Sequence, residues 1–247
     1  MAPDLLAEVD RYILARYAEQ AQRVLHAYRE YDYPTIFQIL NGFMTVDLSA
    51  FYADVSKDCL YTFAPRSRER RSAQTAMYLM ADGLTRLMAP ILVFTTDELW
   101  RFLPGEREES VHVELFPEGT DLDRLGDPAL LARWARLIAV RDHVLAAIEP
   151  RRKDKTIGSS LEAKVALSAS KDDLSLLEAY RDDLPMLFIV SQVTLERGDG
   201  PLTVTVTAAD GVKCERCWRI VPTVSSDPGR GGICERCADA LAEPVNS

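Results

Sequence analysis

The chain has 247 residues, of which 47% are hydrophobic and 27% are charged. This composition is typical of a folded globular protein and argues against extended disorder. The longest apolar run, residues 87–94, is far shorter than the roughly 20 residues of a membrane span, so we expect no membrane partner. The first residues show no secretory signal. The net charge of −9 disfavours nonspecific binding to DNA or RNA, so any nucleic-acid contact must rest on local patches.

The first hundred residues carry the apolar spacing of long amphipathic helices. Apolar residues recur every three or four positions up to a break at residues 31–34, then up to Cys59, and again over residues 73–91. The second of these helices is apolar around much of its circumference. This predicts that the helix packs in the middle of a bundle and that Cys59 is buried there. Pro90 should kink or divide the third helix. Residues 1–126 are therefore predicted to form an antiparallel helical bundle, which makes the fold mainly α.

The second predicted segment, residues 127–209, combines a long helix with a small α+β junction. Residues 105–126, which precede this segment, are predicted to be irregular, with one extended stretch at Val111–Val113. Asp127 should cap the long helix, and Pro128 suits its first position. Beyond this helix, the apolar spacing predicts two strands and one further helix, at residues 163–168, 202–207 and 174–180.

The third predicted segment, residues 210–247, contains two Cys-Glu-Arg-Cys motifs. Their cysteines are Cys214, Cys217, Cys234 and Cys237. Two such pairs on tight turns can converge on one ion, and Zn²⁺ accepts four thiolates at about 2.3 Å. Two disulfides or an iron–sulfur cluster are the alternatives. Four protein ligands leave no open coordination position, so the expected Zn²⁺ is structural and this segment is predicted to be a zinc finger.

Three residues beside the second cysteine could contact RNA. Trp218 directly follows Cys217, and an indole can stack on an unpaired base. Arg216 and Arg219 flank this tryptophan. The alternative is that Trp218 covers the metal site while both arginines are solvated.

Two basic clusters could contact phosphate groups. One lies at the end of the long helix and supplies Arg152, Lys153 and Lys155 as candidates. The other, residues 66–71, lies at a helix start, where positive charge opposes the helix dipole. We expect phosphate contacts from the first cluster, and the second remains an open candidate.

Several motifs then agree in order and approximate spacing with one protein family. The chain resembles the C-terminal portion of bacterial isoleucyl-tRNA synthetases, with their anticodon-binding bundle, junction and zinc finger. Tyr12 departs from the tryptophan that is usual in the bundle motif. The motifs that carry the resemblance are Val9–Tyr12, Ala27–Asp32, Leu48–Tyr52, Met88–Leu92, Asp97–Trp100, Lys153–Ala163, Lys213–Trp218 and Ile233–Cys237.

The resemblance implies that this chain binds tRNA and that a separate catalytic half carries out the reaction. This family joins isoleucine to its tRNA using ATP, and the portion present here would hold the anticodon stem and loop. ATP and Mg²⁺ would bind only in the catalytic half, whose His-Ile-Gly-His and Lys-Met-Ser-Lys-Ser signatures this sequence lacks. We therefore expect no catalytic residues, an inactive chain, a cytoplasmic location, and two partners: isoleucine tRNA and the remainder of the synthetase.

Two other functions are compatible with parts of the sequence. A DNA glycosylase can end in a similar four-cysteine finger, but it needs an N-terminal proline followed by glutamate, whereas this chain begins Met-Ala-Pro-Asp. A stand-alone RNA-binding or scaffold protein derived from a synthetase would keep the structural zinc and needs no catalytic half.

Overall fold

The computed structural model describes residues 5–227 and 231–243. The chain divides into two units, one with residues up to 60 and 66–132, the other with residues 61–65 and everything from 133 onward. The boundaries expected after residues 126 and 209 stay predictions. The outer ends of the first and third predicted segments, and residues 228–230, lie outside the described residues.

The first unit is built from helices, as the apolar spacing predicts. Asp32 caps the second helix by accepting a hydrogen bond from the Thr35 backbone N–H at 3.2 Å. Pro90 separates the fourth and fifth helices, which confirms its predicted effect. The helices are α1 (Glu8–Arg29), α2 (Tyr33–Gly42), α3 (Ala53–Thr62), α4 (Arg68–Met88), α5 (Val93–Phe102) and α6 (Thr120–Asp123). A π-helix, Phe43–Tyr52, continues α2 directly into α3.

The long helices alternate in direction along the chain. Tyr52, at the end of the π-helix, donates a hydrogen bond to Asp10 near the start of α1, so these segments run antiparallel. Tyr28 near the end of α1 donates to the carbonyl of Leu87 at the end of α4, so α1 and α4 run parallel. The predicted antiparallel helical bundle is therefore confirmed.

The second predicted helix does not lie in the middle of this bundle. Phe37 and Val46 are 66% and 64% exposed, whereas Ile36 and Phe43 are buried. Cys59 is half-buried rather than fully buried, and this burial raises the pKa of its thiol to about 12. The prediction assumed one uniform α-helical period, but the π-helix bonds residue i to i+5 and so changes the angular step between residues.

The segment Val111–Val113 forms a 3₁₀ turn instead of the extended stretch that we predicted. Ser110 accepts a hydrogen bond from the His112 backbone N–H, which favours a turn over a strand. Val111 is buried in a cluster with Trp100, so burial of this one side chain decides the local conformation.

The second unit combines most of a long helix, which begins at the end of the first unit, with a three-stranded sheet. Asp127 accepts from the Leu130 N–H at 2.9 Å, as expected for a cap of α7 (Pro128–Lys153). The further elements are β1 (Ala163–Ala169), α8 (Lys171–Ala179), α9 (Leu184–Leu187), β2 (Gln192–Arg197) and β3 (Thr203–Ala208), followed by β4 (Val212–Lys213), β5 (Ile220–Val221) and α10 (Glu235–Ala242). The sheet order is β2-β1-β3, with β1 parallel to β2 and antiparallel to β3. Both predicted strands and the predicted helix form, and β2 is an additional strand that the spacing did not predict.

Within the described part of the chain, no helix combines the length and apolar character that crossing a membrane would require.

Candidate zinc centre and RNA-binding surface

The four cysteine sulfur atoms of the C-terminal motifs converge. All four lie within 4.8 Å of one another, and all four residues are buried. The Cys214 and Cys237 sulfurs are 3.8 Å apart, and those of Cys217 and Cys234 are 3.9 Å apart. A tetrahedron with Zn–S bonds of about 2.3 Å has edges of about 3.8 Å, so the donor set fits Zn²⁺. These separations are far longer than a disulfide bond of about 2.05 Å.

The finger holds these sulfurs on two different local structures. The first pair lies on a turn, in which the Trp218 N–H donates to the Cys214 carbonyl at 2.9 Å. The second pair lies at the start of α10, with Cys234 as the residue before its first turn. Apart from the cysteines, Ile233 is the buried residue of this cluster. The finger thus has little apolar core, so a metal ion must supply much of its stability.

Burial and hydrogen bonding act in opposite directions on the thiols. Burial raises the pKa of Cys217, Cys234 and Cys237. Burial opposes ionisation of Cys214 as well, but backbone N–H groups directed at its sulfur outweigh it and lower its pKa to about 6. The guanidinium of Arg216 favours the thiolate of Cys237. Backbone and side-chain donors around a thiolate are the usual outer shell of a metal site.

Trp218 directly follows the first cysteine pair and exposes 62% of its surface. Its φ is 63°, in the left-handed region that bulky residues rarely adopt. The hydrogen bond to Cys214 that closes the turn also holds this conformation. Most of the indole is therefore open to a ligand, whereas a cover over the metal site would require a more buried ring.

Arginines of both motifs contact residues 61–65 of the same unit. Arg216 donates to the carbonyl oxygens of Tyr61 and Thr62, with an N···O distance of 3.5 Å to Tyr61. Arg236 donates to the Thr62 hydroxyl at 3.2 Å, and its guanidinium lies 4.7 Å from the ring centre of Phe63. Arg216 therefore uses part of its guanidinium inside the protein, and a contact with RNA would rely on its remaining N–H groups.

The other candidate RNA-binding residues differ in how accessible they are. Arg219 is half-buried, and Arg152 donates to Glu149 at 2.7 Å. Lys153 and Lys155 are exposed and form no ion pair with any residue that the structure describes. Of this set, the two lysines are the most available for a phosphate group.

The Arg66–Arg71 cluster lies in the first unit and makes contacts there. Ser67 caps α4 by accepting from the Arg70 N–H at 3.3 Å. Arg68 donates to the Leu5 carbonyl at 3.3 Å. These contacts offset part of the cost of placing positive charge at a helix start.

Two further residues of the junction hold the finger, and neither was predicted as a site residue. Glu162 accepts from the Gly158 N–H at 2.8 Å and from Lys213 at 3.1 Å, so it links the loop after α7 to the finger. Ser191 accepts from the Ile220 N–H at 2.7 Å. Glu162 lies in the Lys153–Ala163 motif and Ser191 lies outside the motifs, and no spacing in the sequence indicates the partner of either residue.

Two family models match the chain. The anticodon-binding domain of tRNA ligases matches residues 10–167. The zinc finger found in FPG and IleRS matches residues 211–240, which contain all four cysteines. The zinc-finger match and the convergence of the four sulfurs together support a structural zinc rather than an iron–sulfur cluster.

Similar curated proteins carry one name. Isoleucine–tRNA ligase of Syntrophotalea carbinolica is 44% identical over 98% of this chain, and that of Brevibacillus brevis is 40% identical over 98%. The ligase of Geobacter sulfurreducens is 42% identical over 96%. The chain spans only 26–27% of the length of these relatives. With the family model matched over more than half of its residues, this chain belongs to the anticodon-binding domain family of tRNA ligases.

Proposed function

We propose that this chain recognises the anticodon stem and loop of isoleucine tRNA as part of an isoleucine–tRNA ligase. One observation carries the proposal: an anticodon-binding helical domain and a four-cysteine finger occur in one chain, in that order. Relatives named isoleucine–tRNA ligase are similar to it over 96–98% of its length.

The complete ligase would join isoleucine to tRNA in the cytoplasm, using ATP and Mg²⁺ bound outside this chain. The remainder of the ligase polypeptide is accordingly a partner of the described domains. We expect the isolated chain to be inactive. Isoleucine-dependent pyrophosphate exchange by the purified chain, above a blank without enzyme, would contradict this expectation.

RNA recognition would be divided between two kinds of contact. Trp218 would stack on an unpaired loop base, with Arg216 and Arg219 beside it, because a flipped base offers the π face and base edge that a duplex hides. The basic end of α7, namely Arg152, Lys153 and Lys155, would contact backbone phosphates. Such contacts position the RNA without specifying its sequence. The net charge of −9 makes strong nonspecific binding unfavourable, so these few contacts must carry the affinity.

The test measures binding of the matching anticodon stem-loop by the full chain. Trp218→Ala should weaken binding by about 1–3 kcal/mol with little change in salt dependence, because stacking on a base involves no ion release. Trp218→Phe keeps an aromatic face and should recover part of this loss. Zinc content must be measured for both variants, since normal RNA binding with lost zinc would mean that the indole protects the metal.

Lys153→Ala provides the contrasting variant. Loss of one phosphate contact should weaken binding to all tRNAs alike and reduce the salt slope by about one unit. Equal binding of matching and mismatched anticodon stem-loops by the unmutated chain would refute the proposed function.

A further inference from the structure

The continuous helix formed by α2 and the π-helix exposes an unusual surface. Residues 33–53 contain one charged residue, Asp47, and its carboxylate accepts a hydrogen bond from Arg16 at 3.1 Å within the bundle. The remaining solvent-exposed surface is uncharged. We call this surface the α2–π face and define it by six exposed residues: Phe37, Asn41, Met44, Val46, Ser49 and Ala50.

This surface is unlike the exposed side of its neighbour in the same bundle. The exposed residues of α1 include Glu19, Arg23 and Arg29, as is usual for a helix that faces water. On the α2–π face, Phe37 is 66% exposed and Val46 is 64% exposed, and no charged residue lies between them in the sequence. Large apolar side chains that are mostly exposed, on a helix whose one charge is already paired, can mark an interaction site.

The backbone beneath the face is also unusual. The π-helix extends over ten residues, whereas π-hydrogen bonding normally covers a single turn and occurs mostly at functional sites. Ser49 and Ala50 lie on this stretch and have small side chains. Small side chains allow a second helix to approach toward the short end of the usual interaxial range of about 8–10 Å.

The chemistry of the face limits what can cover it. The segment contains no lysine or arginine, so it cannot neutralise phosphates, which supply a large share of the affinity for RNA. The relatives are almost four times as long as the part that this chain matches, so a ligase has most of its polypeptide outside the described domains. We propose that the α2–π face docks against an apolar helical surface in the rest of the ligase polypeptide. This inference rests on the proposed function, because it takes its partner from the complete ligase.

The test compares this chain alone with the same chain inside a complete ligase. The complete ligase is a chimaera, in which the 247 residues replace the matching region of the Syntrophotalea carbinolica ligase. Amide hydrogen exchange of residues 33–53 should slow by about tenfold or more in the complete protein, because docking removes the face from solvent. Phe37→Glu should abolish this gain in the complete protein and leave the isolated chain folded, since the side chain is already exposed there.

Two further variants keep the test decisive. Val46→Lys places a charge elsewhere on the face and should act as Phe37→Glu does. Phe94→Glu is the matched control, because Phe94 is 89% exposed at the start of α5, off the α2–π face. It should leave the exchange protection of residues 33–53 unchanged.

Several outcomes would overturn the docking proposal. Equal exchange rates in the isolated and complete proteins would do so, as would loss of protection with Phe94→Glu but not with Phe37→Glu. An isolated chain that sediments as a dimer, which Phe37→Glu dissociates, would assign the face to a second copy. Weaker stem-loop binding by isolated Phe37→Glu would assign it to RNA. Failure of the isolated chain to discriminate between stem-loops would instead refute the proposed RNA recognition and leave docking intact.

Discussion

The buried carboxylate of Asp10 offers a direct test of how the bundle is stabilised. Asp10 is 2% exposed, and it accepts hydrogen bonds from Tyr52 at 2.6 Å and from Ser72. Burial raises the pKa of Asp10, while the two hydroxyl donors act in the opposite direction. Tyr52→Phe removes one of these donors and leaves the ring in place.

The expected loss of stability depends on whether Asp10 is ionised. A hydrogen bond to a charged group contributes about 1.5–3 kcal/mol, so Tyr52→Phe should cost that amount near neutral pH. The substitution raises the pKa of Asp10 further, because the lost donor favoured the carboxylate. A folded-state pKa above the unfolded value lowers stability as the pH rises through it. The cost of Tyr52→Phe should therefore be largest at neutral pH and shrink as the pH falls and Asp10 is protonated.

Urea unfolding followed by circular dichroism, at several pH values between about 7 and about 4, measures this dependence. Tyr28→Phe is the matched control, because the Tyr28 hydroxyl donates to the neutral carbonyl of Leu87 at 2.8 Å. Its cost should be about 0.5–1.5 kcal/mol and should not change with pH. A cost of Tyr52→Phe that is independent of pH, or smaller than that of the control, would refute the reasoning.

The remaining predictions concern the metal and two glycines. Chelation of zinc should unfold the finger and leave the helical bundle intact, because the ligand cysteines form most of the finger's buried cluster. Circular dichroism with metal analysis checks this, and a chain without zinc or with a coloured iron centre would contradict it. Gly83→Ala should destabilise the bundle by about 1–3 kcal/mol, because a Cβ there would lie 1.8 Å from the Tyr17 hydroxyl oxygen. Gly42→Ala meets no atom within 4 Å and should stabilise α2 by about 0.5–1 kcal/mol. Denaturation midpoints that shift in the same direction for both substitutions would show that packing around the glycine does not decide whether alanine stabilises or destabilises the bundle.

The sequence determined those features that depend on neighbours within a few residues. Apolar spacing identified the long helices and two of the strands, because each depends on a local period of the chain. Asp127 and Pro90 marked helix boundaries for the same reason. The two Cys-Glu-Arg-Cys motifs identified four ligands whose sulfur atoms then converge, because a pair on one turn is already preorganised.

Tertiary structure decided what covers each apolar or charged surface. The spacing of α2 showed that it is apolar around much of its circumference, but only the fold shows that Phe37 and Val46 stay more than half exposed. Strand β2 alternates polar and apolar residues over residues 192–196, a short local signal that the prediction did not use, and the fold adds its pairing with β1. Arg216 was assigned to RNA from its position beside Cys217, yet it bonds to Thr62, 154 positions away. Periodicity and spacing are local properties of the chain, whereas the partner of a surface or a guanidinium is fixed by long-range packing that no local pattern encodes.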